Sequence, residues 1–347
     1  MRERPIPSAG ASILVTGAAG FIGFHTCRRL LDLGVRVFGV DDLNPYYDPA
    51  LKQARLALLR EHPNFAFRAL DIADQAELDA AADAAAPGAI VHLAAQAGVR
   101  YSIEAPHAYG RSNLTGFLCV LETARRLSIG HLVYASSSSV YGANAATPFS
   151  EHDGVDHPVS LYAATKRANE LMAHTYAHLF ALPVTGLRFF TVYGPWGRPD
   201  MAYFKFTQAI LAGEPITLYD ADRMRRDFTY VDDVVEAVVR LIDQPPGADP
   251  RFDPARPDPA TSQAPFRIYN IGNHTPVALK DFLATLEAAV GRKAIVRHAP
   301  APPGDVPETY ADVADLAAAV DFAPKTPLEA GLARFVAWYE KYYAGLK

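Results

Sequence analysis

The chain contains 347 residues, half of them apolar and a fifth charged, and carries a formal net charge of -5. This length can form a large core, as a main domain plus a smaller one, and the acidic balance gives no field that would attract nucleic acid or anionic lipid. The sequence shows neither the apolar core of a signal peptide nor a run long enough to span a membrane. We therefore expect a cytoplasmic protein without nucleic-acid or membrane partners.

Short apolar runs and helical patterns alternate along the first part of the chain. SILVTG is typical of a strand, FIGFHTCRRLLDLG of a helix and VRVFGVDD of a second strand. Further strands are predicted over FAFRALDI, AIVHLAA, HLVYASSS and PVTGLRFFTVYG, with helical segments between them. Strands that alternate with helices predict an α/β fold of the Rossmann type, in which helices cover both faces of a doubly wound parallel sheet.

The alternation then stops, because Pro and aromatic residues interrupt the periodicity. We predict a dinucleotide-binding domain over residues 1–193, to which segments near 229–245 and 266–273 return. The remainder, mainly 194–347, is expected to form a smaller mixed α/β domain that binds the substrate. The stretch 243–265 is rich in Pro, Asp and Ala and predicts an exposed, mobile insertion.

Cysteine and histidine spacing predicts no metal site. Cys27 and Cys119 each lie inside a helical pattern, without a partner at metal-binding or redox spacing, and are expected to be small core residues. The 11 histidines are scattered, and none forms a helical pair with an acid between its members.

The stretch TGAAGFIG, between the first strand and the first helix, places Gly17, Gly20 and Gly23 at a spacing typical of dinucleotide sites. Glycines here allow a tight turn and a close approach to a pyrophosphate, which the N–H groups of the helix N-terminus can bind. Asp41 ends the second strand, where a carboxylate can accept both ribose hydroxyls and repel a 2′-phosphate. NAD is therefore predicted over NADP, with Asp42 as the alternative acid.

A run of hydroxyls, SSSSVYG, ends one predicted strand, and YAATK opens the next helix. Tyr162 and Lys166 are four residues apart and share a helix face, so the ammonium can lower the phenol pKa. Tyr343 and Lys347 have the same spacing, so only the position beside the strand end distinguishes Tyr162. The arrangement predicts proton removal from a substrate oxygen held between a serine and the tyrosine.

These stretches, together with HLAA, SNLTG, RFFTVYGP, RRDFTYVDD and PGDV, resemble the extended short-chain dehydrogenase/reductase (NAD-dependent epimerase/dehydratase) family along nearly the whole chain. DDLNPYYDPALKQARL and RFFTVYGPWGRPDMA are most similar to its UDP-glucuronate 4-epimerase members. The resemblance implies an isomerase that uses NAD to convert UDP-glucuronate to UDP-galacturonate through a transient 4-keto sugar. It also implies a homodimer formed through the helices that hold Asn113 and Lys166.

The resemblance further implies a set of site residues, with Ser137, five residues before the glycine of VYG, as the catalytic hydroxyl beside Tyr162 and Lys166. The predicted cofactor contacts are Gly17, Gly20, Phe21, Ile22, Gly23, Asp41, Asn44, Asp71, Ile72, Leu93, Ala94, Ala95, Asn113, Tyr162 and Lys166. The predicted UDP-sugar contacts are Ser137, Ser138, Tyr162, Thr191, Arg226 and Asp305. No metal is expected in this site.

Arg198 is the predicted selector of the acid sugar. It lies seven positions after Thr191, the expected uridine-side residue, and its planar fork can bind a carboxylate through two hydrogen bonds. The alternative is a loop charge or a salt bridge to Asp200. In that case acid recognition would lie at Ser137, Ser138 or the backbone after Gln96.

Two departures from related proteins limit the interpretation. Dehydratases and decarboxylases of the family carry an acid where Ser138 or Ser139 stands, which argues against elimination or decarboxylation. UDP-galactose epimerases often place an Arg three residues before the Asp of the GD motif, where this chain has Pro302 ahead of Asp305. The alternatives are an epimerase for a neutral UDP-hexose, a UDP-glucuronate decarboxylase and a noncatalytic NAD-sensing module.

Overall fold

A parallel sheet forms the centre of the computed structural model, which describes residues 11–220, 224–300 and 308–345. Over these ranges the strands are β1 (Ser12–Thr16), β2 (Arg36–Asp41), β3 (Phe65–Ala69), β4 (Ala89–His92), β5 (His131–Ser137), β6 (Val184–Phe189), β7 (Thr191–Tyr193), β8 (Pro215–Tyr219), β9 (Arg225–Tyr230), β10 (Phe266–Ile271), β11 (Pro276–Ala278), β12 (Ile295–Ala299) and β13 (Glu308–Thr309). The α-helices are α1 (Phe21–Asp32), α2 (Pro49–Arg60), α3 (Gln75–Ala85), α4 (Tyr101–Glu104), α5 (Pro106–Tyr109), α6 (Gly116–Arg126), α7 (Leu161–Phe180), α8 (Ala202–Ala212), α9 (Val231–Ile242), α10 (Leu279–Val290), α11 (Ala314–Val320) and α12 (Leu328–Ala344).

Seven of these strands pair in the order β10-β6-β5-β4-β1-β2-β3. Every pairing in this sheet is parallel, for example Val15 with Val91 and Val133 with Thr185. The inner strands are buried on both faces because helices cover both sides, which explains their continuous apolar character. The predicted Rossmann-type doubly wound fold is confirmed, and the strand order reverses between β1 and β4, where such folds hold ligands.

The stretch PVTGLRFFTVYG forms two strands, so the prediction of one continuous strand is wrong. β6 stays in the central sheet, whereas β7 pairs with β9, Thr191 beside Phe228. The break falls at Phe190, whose N–H donates to the carbonyl oxygen of Ile271 at the end of β10 (3.0 Å). Both halves of the stretch are apolar, and the sequence pattern therefore did not show the change of sheet.

The remaining strands form two smaller sheets beside the carboxyl ends of the central strands. β9 is antiparallel to β11 and parallel to β7 and β13, while β8 pairs in parallel with β12. Helices α8, α10 and α12 pack around these sheets through a core that includes Tyr203, Phe282 and Phe335. β10 and α9 return to the central sheet. The division into domains near residue 193 stays a prediction.

Apolar layers lie on both faces of the central sheet. One contains α1 and α9 and includes Cys27, and the other contains α3, α6 and α7 and includes Cys119. Both cysteines are therefore buried core residues, as predicted. Within the described ranges, none of the helices combines the length and the hydropathy that a membrane span requires.

The predicted exposed insertion, 243–265, is not exposed throughout. Ala260, Thr261 and Ser262 are buried, and the N–H of Ile268 in β10 donates to the carbonyl oxygen of Ala260 (3.0 Å). The prediction is wrong for this part of the segment because it covers the outer edge of β10. An uncovered strand edge would leave backbone groups unpaired.

Candidate active site

The turn between β1 and α1 requires glycine at two positions. Gly17 has a φ of +72°, in the left-handed region that residues with a Cβ rarely adopt. A Cβ on Gly23 would lie 2.0 Å from the carbonyl oxygen of Gly17, so α1 can pack this closely on the turn only with glycine there. The predicted tight turn is therefore present at the carboxyl end of β1.

The first turn of α1 faces a cavity of about 960 Å³. Gly20 is the N-cap, no side chain among the described residues caps it, and the first turn contains no acidic residue. The first N–H groups of a helix have no acceptor within the helix, and Phe21 and Ile22 of this turn line the cavity. These donors and the open glycine turn fit the diphosphate of a dinucleotide.

Asp41 ends β2 at the same cavity, and its carboxylate is held by neighbours. It accepts hydrogen bonds from the N–H groups of Leu43 (2.8 Å) and Ala19 (3.2 Å), and Lys52 Nζ lies 3.4 Å from it. Burial raises the pKa of Asp41, and the Lys52 ammonium opposes that shift. Lys52 was not among the predicted residues, although it lines the cavity.

Asp42, the alternative acid, has a different environment. Its side chain is 35% exposed, and its Oδ1 accepts hydrogen bonds from the N–H (3.1 Å) and Nδ2 (3.0 Å) of Asn44. The carboxylate therefore orders the loop after β2. The buried position of Asp41 beside the glycine turn favours Asp41 over Asp42 as the acid that meets a ribose.

The predicted cofactor residues line the cavity with one exception. Those that line it are Gly17, Gly20, Phe21, Ile22, Gly23, Asp41, Asn44, Asp71, Ile72, Leu93, Ala94, Ala95, Tyr162 and Lys166. The exception is Asn113, which is buried behind the wall. Its Nδ2 donates to the carbonyl oxygen of Gln96 (3.0 Å) and to Thr165 Oγ1 (3.1 Å), and its Oδ1 accepts from the Gln96 N–H (2.8 Å). A direct cofactor contact by Asn113 therefore finds no support in this geometry, because its amide holds the wall together.

The serines at the end of β5 have two environments, a buried hydrogen-bond network and the wall of the cavity. Ser136 Oγ donates to Glu170 Oε1 (2.6 Å), a buried carboxylate that also accepts from Arg188 Nε (2.9 Å). Ser137 Oγ accepts from the Ser139 N–H (3.1 Å), at the cavity wall. Successive strand residues point to opposite faces, so neighbouring serines serve different surroundings.

Tyr162 lies in the first turn of α7, next to Ser137. The helix is capped by Ser160, whose Oγ accepts from the Ala163 N–H (3.1 Å). Burial raises the pKa of the Tyr162 phenol, and the hydrogen bond with Ser137 partly opposes this. The structure therefore brings the predicted hydroxyl and the predicted base together.

Lys166 follows one turn later and contacts the backbone of β5. Its Nζ donates to the carbonyl oxygen of Ala135 (2.8 Å), and burial lowers the pKa of the ammonium to about 8. Burial raises the pKa of the Tyr162 phenol overall, and the lowering of that pKa by Lys166 stays a prediction.

Arg198 reaches the cavity in an ion pair with Asp200. Its Nε donates to Asp200 Oδ1 (3.0 Å) and its Nη2 to Oδ2 (2.5 Å), and the Tyr46 hydroxyl donates to the same Oδ2 (3.0 Å). All three side chains line the cavity, and the Arg198 charge partly opposes the raised pKa of Tyr162. The salt bridge considered as an alternative exists, but it faces the cavity and is only 24% exposed on either side.

Arg55, which is not among the predicted site residues, joins two loops of the site. Its Nη1 donates to the carbonyl oxygen of Ala19 (2.8 Å) and the Tyr47 hydroxyl (2.7 Å). Its Nη2 donates to the carbonyl oxygens of Trp196 (2.6 Å) and Gly197 (3.2 Å). The glycine turn and the loop that precedes Arg198 are thus connected by one buried guanidinium.

A clue to Arg55 is present in the sequence. Leu51, Arg55 and Leu59 are spaced by four residues and share the buried face of α2. A charged residue on an apolar stripe needs hydrogen-bond partners. The spacing could therefore have marked Arg55, though not the loops that it contacts.

The two predicted uridine-side residues lie on neighbouring strands. Thr191 begins β7, Arg226 lies on β9, and both line the cavity. Arg226 Nη1 donates to the carbonyl oxygen of Arg225 (2.8 Å). Asp305, the remaining predicted substrate contact, lies outside the described residues.

The chain is similar to a known protein family and to individual proteins. A family model described as "NAD dependent epimerase/dehydratase family" matches residues 13–272. A probable UDP-glucuronate 4-epimerase of Rhizobium meliloti (strain 1021) is 52% identical over 331 residues, covering 95% of this chain and 97% of that protein.

Solved structures extend this likeness to the fold. UDP-glucuronic acid 4-epimerase from Bacillus cereus, in complex with UDP-glucuronic acid and NAD, is similar with a TM-score of 0.82 and 29% identity, over 95% of this chain and 99% of that one. UDP-glucose 4-epimerase from Thermotoga maritima, with UDP-glucose, also gives a TM-score of 0.82, at 27% identity over 95% of this chain and 99% of that one.

Proposed function

The chain belongs to the NAD dependent epimerase/dehydratase family, and we propose that it catalyses the NAD-dependent 4-epimerisation of UDP-glucuronate to UDP-galacturonate. The observation that carries this function is the convergence of Ser137, Tyr162 and Arg198 on one cavity with the glycine turn. A proton acceptor, a carboxylate-binding fork and a dinucleotide site then serve one molecule of substrate.

The cofactor is NAD, and residues of the β1–α1 turn and the end of β2 would hold it. The N–H groups at the start of α1 would meet its diphosphate, and Asp41 would accept hydrogen bonds from a ribose. Bound there, NAD supplies the hydride acceptor and donor for C4 of the sugar. Because the reaction leaves no net oxidation, the protein should keep its cofactor through turnover.

Tyr162 acts as the base in this proposal. Its phenol removes the proton from the sugar 4-hydroxyl and returns it after the 4-keto sugar has turned over, while Ser137 holds the sugar oxygen. Burial opposes ionisation of the phenol, so positive charge is needed nearby. Arg198 acts in that direction already, and Lys166 adds a buried ammonium one helix turn away.

Arg198 selects the acid sugar. A guanidinium can donate two hydrogen bonds to the C6 carboxylate, which a neutral hydroxymethyl group cannot accept in the same way. These hydrogen bonds also protect the intermediate from decarboxylation, because a 4-keto uronate is a β-keto acid. If it loses CO₂, the C5–C6 bond breaks, its electron pair stays on C5 as an enolate, and a proton from water adds to C5.

The uridine diphosphate would extend toward Thr191 and Arg226. Both side chains line the cavity on strands β7 and β9, away from the glycine turn of β1. A guanidinium such as that of Arg226 can bind phosphate oxygens. Asp305 belongs to the same proposal from its sequence position alone.

The decisive experiment incubates the purified protein with UDP-glucuronate and identifies the product by NMR. The proposal expects UDP-galacturonate with no net change in NAD. Turnover of UDP-glucose alone would support the neutral-hexose epimerase instead, and accumulation of a UDP-pentose with CO₂ would support the decarboxylase. If neither sugar is converted, the protein is a noncatalytic NAD-binding module.

We also propose a cytoplasmic homodimer that pairs through α6 and α7. These helices expose apolar side chains at Leu118 (43%), Leu171 (54%), Leu179 (63%) and Phe180 (47%). Leu171→Glu should convert the dimer to a monomer in sedimentation velocity, whereas Ile295→Glu, which changes an exposed apolar residue of β12, should not. A wild-type monomer would contradict the proposal.

A further inference from the structure

Two distant segments meet around Arg198. The first is the 44–55 segment, which follows β2, and the second is the 194–200 loop, which follows β7. Arg55 binds the backbone of this loop at Trp196 and Gly197 (2.6 and 3.2 Å), and the Tyr46 hydroxyl binds Asp200 Oδ2 (3.0 Å). The 194–200 loop, which carries Arg198, is therefore held in place by side chains of the 44–55 segment.

The ion pair with Asp200 uses only one edge of the Arg198 guanidinium. Asp200 accepts from Nε and Nη2, which form the side edge. A guanidinium has five N–H donors, and Nη1 and the second hydrogen of Nη2 form another edge that also suits a carboxylate. Among the described residues, Asp200 is the carboxylate within salt-bridge distance of Arg198; this pair does not use Nη1, and the Arg198 side chain lines the cavity.

Tyr46 holds the carboxylate of Asp200, which in turn orients the Arg198 guanidinium. Its ring packs on Tyr101 (4.8 Å between centroids), and a Cβ at Gly98 would lie only 2.7 Å from its hydroxyl oxygen, so glycine leaves room for it. Burial and the neighbouring Asp200 raise the pKa of Tyr46 to about 12. The phenol therefore stays protonated and keeps donating to Asp200 at working pH.

We propose that Tyr46 and Asp200 are positioning residues that hold the side edge of Arg198, so that its Nη1–Nη2 edge receives the carboxylate of the acid sugar. The inference rests on the proposed function, in which Arg198 selects UDP-glucuronate. Two carboxylates then share one guanidinium, one from the chain and one from the substrate. A neutral UDP-hexose makes no use of this edge and does not depend on its orientation.

The test compares Tyr46→Phe and Asp200→Asn with wild type in the NAD-bound full chain. The Michaelis constant for UDP-glucuronate should rise about 3- to 10-fold in Tyr46→Phe, the effect of one ordinary hydrogen bond, and further in Asp200→Asn. UDP-pentose should appear among the products, because a loosely held β-keto acid can rotate and lose CO₂. The kcat with either sugar and the Michaelis constant for UDP-glucose should stay near the wild-type values.

The chain offers a matched control. Tyr176 of α7 donates to Glu122 of α6, which pairs with Arg125 outside the cavity, so this trio repeats the tyrosine, carboxylate and guanidinium of the cavity. Tyr176→Phe should leave both Michaelis constants and the product mixture unchanged. Asp200→Glu, which keeps the charge, should restore part of the selectivity that Asp200→Asn loses.

Each result decides the question. An unchanged Michaelis constant for UDP-glucuronate and no pentose in Tyr46→Phe, which removes one oxygen and should fold, would overturn the positioning role while leaving the proposed function intact. An equal rise for both sugars would also overturn it, as a purely structural role would do. A wild-type protein that converts only UDP-glucose would overturn the proposed function and this inference together.

Discussion

The proposed reacting side of the cavity, formed by Ser137, Tyr162 and Lys166, and the proposed selecting side, formed by Arg198, are built differently. Ser137, Tyr162 and Lys166 stand on β5 and α7, and their positions follow from a strand end, a helix cap and a buried ammonium bound to the Ala135 carbonyl oxygen. Arg198 stands on a loop without regular structure, whose backbone Arg55 holds. In the proposed function, the chemistry shared by all substrates is thus fixed by rigid elements, whereas the choice of substrate depends on contacts between distant side chains.

The largest effect is expected on the reacting side. Tyr162→Phe removes the proposed proton acceptor and should lower kcat by about a hundred- to ten-thousand-fold for UDP-glucuronate and for UDP-glucose alike. Binding of NAD and of UDP-sugars, measured by calorimetry, should remain nearly unchanged because only one hydroxyl is lost. Ser137→Ala should be milder. Near-normal turnover in Tyr162→Phe would place the base elsewhere.

Arg198→Ala should separate the two sides. The kcat/KM for UDP-glucuronate should fall about 10- to 100-fold, the effect of hydrogen bonds to a charged group, with some pentose released and little change for UDP-glucose. Arg198→Lys keeps the charge without the fork and should recover only part of the loss. An equal loss for both sugars without pentose would make Arg198 structural.

The pH dependence should affect the reacting side alone. Burial lowers the pKa of Lys166 to about 8, so kcat/KM for both sugars should fall above about pH 8, approaching tenfold per pH unit. Their ratio should stay constant because Arg198 keeps its charge.

The unfolded chain binds the Lys166 proton up to its ordinary pKa, so this group makes folding more favourable as pH rises above about 8. Measuring the free energy of unfolding over the same pH range distinguishes this effect on stability from the effect on kcat/KM. A ratio of the two kcat/KM values that changes with pH would contradict the separation between the reacting side and the selecting side.

The smallest effect is expected for a surface ion pair of the same chemistry. Arg251 pairs with Asp249 two residues away (3.2 Å), as Arg198 does with Asp200, but the Arg251 side chain is 85% exposed. Water screens such a pair. Arg251→Ala should leave both kcat/KM values at wild type, measured beside Arg198→Ala. A selective loss with UDP-glucuronate would show that the comparison between cavity and surface does not hold.

Much of the reacting side could be predicted because its spacing is local. Gly17 and Gly23 belong to one turn, and Tyr162 and Lys166 to one helix turn, where geometry follows directly from sequence separation. The uses of these groups were harder to predict. The Lys166 ammonium donates to a backbone oxygen that no spacing indicated, and the amide of Asn113 closes a wall, because hydrogen-bond partners depend on what packs nearby.

The sequence alone determined the alternating sheet, the glycine turn and the helix turn that holds Tyr162 and Lys166, since periodicity and steric limits act between residues close along the chain. The tertiary structure decided where the apolar run breaks at Phe190, and that Tyr46 meets Asp200 and Arg55 meets Trp196. These pairs are more than a hundred residues apart, and no local pattern specifies such a contact. They form because the fold brings the 44–55 segment and the 194–200 loop to the same edge of the cavity, where buried polar groups must find partners.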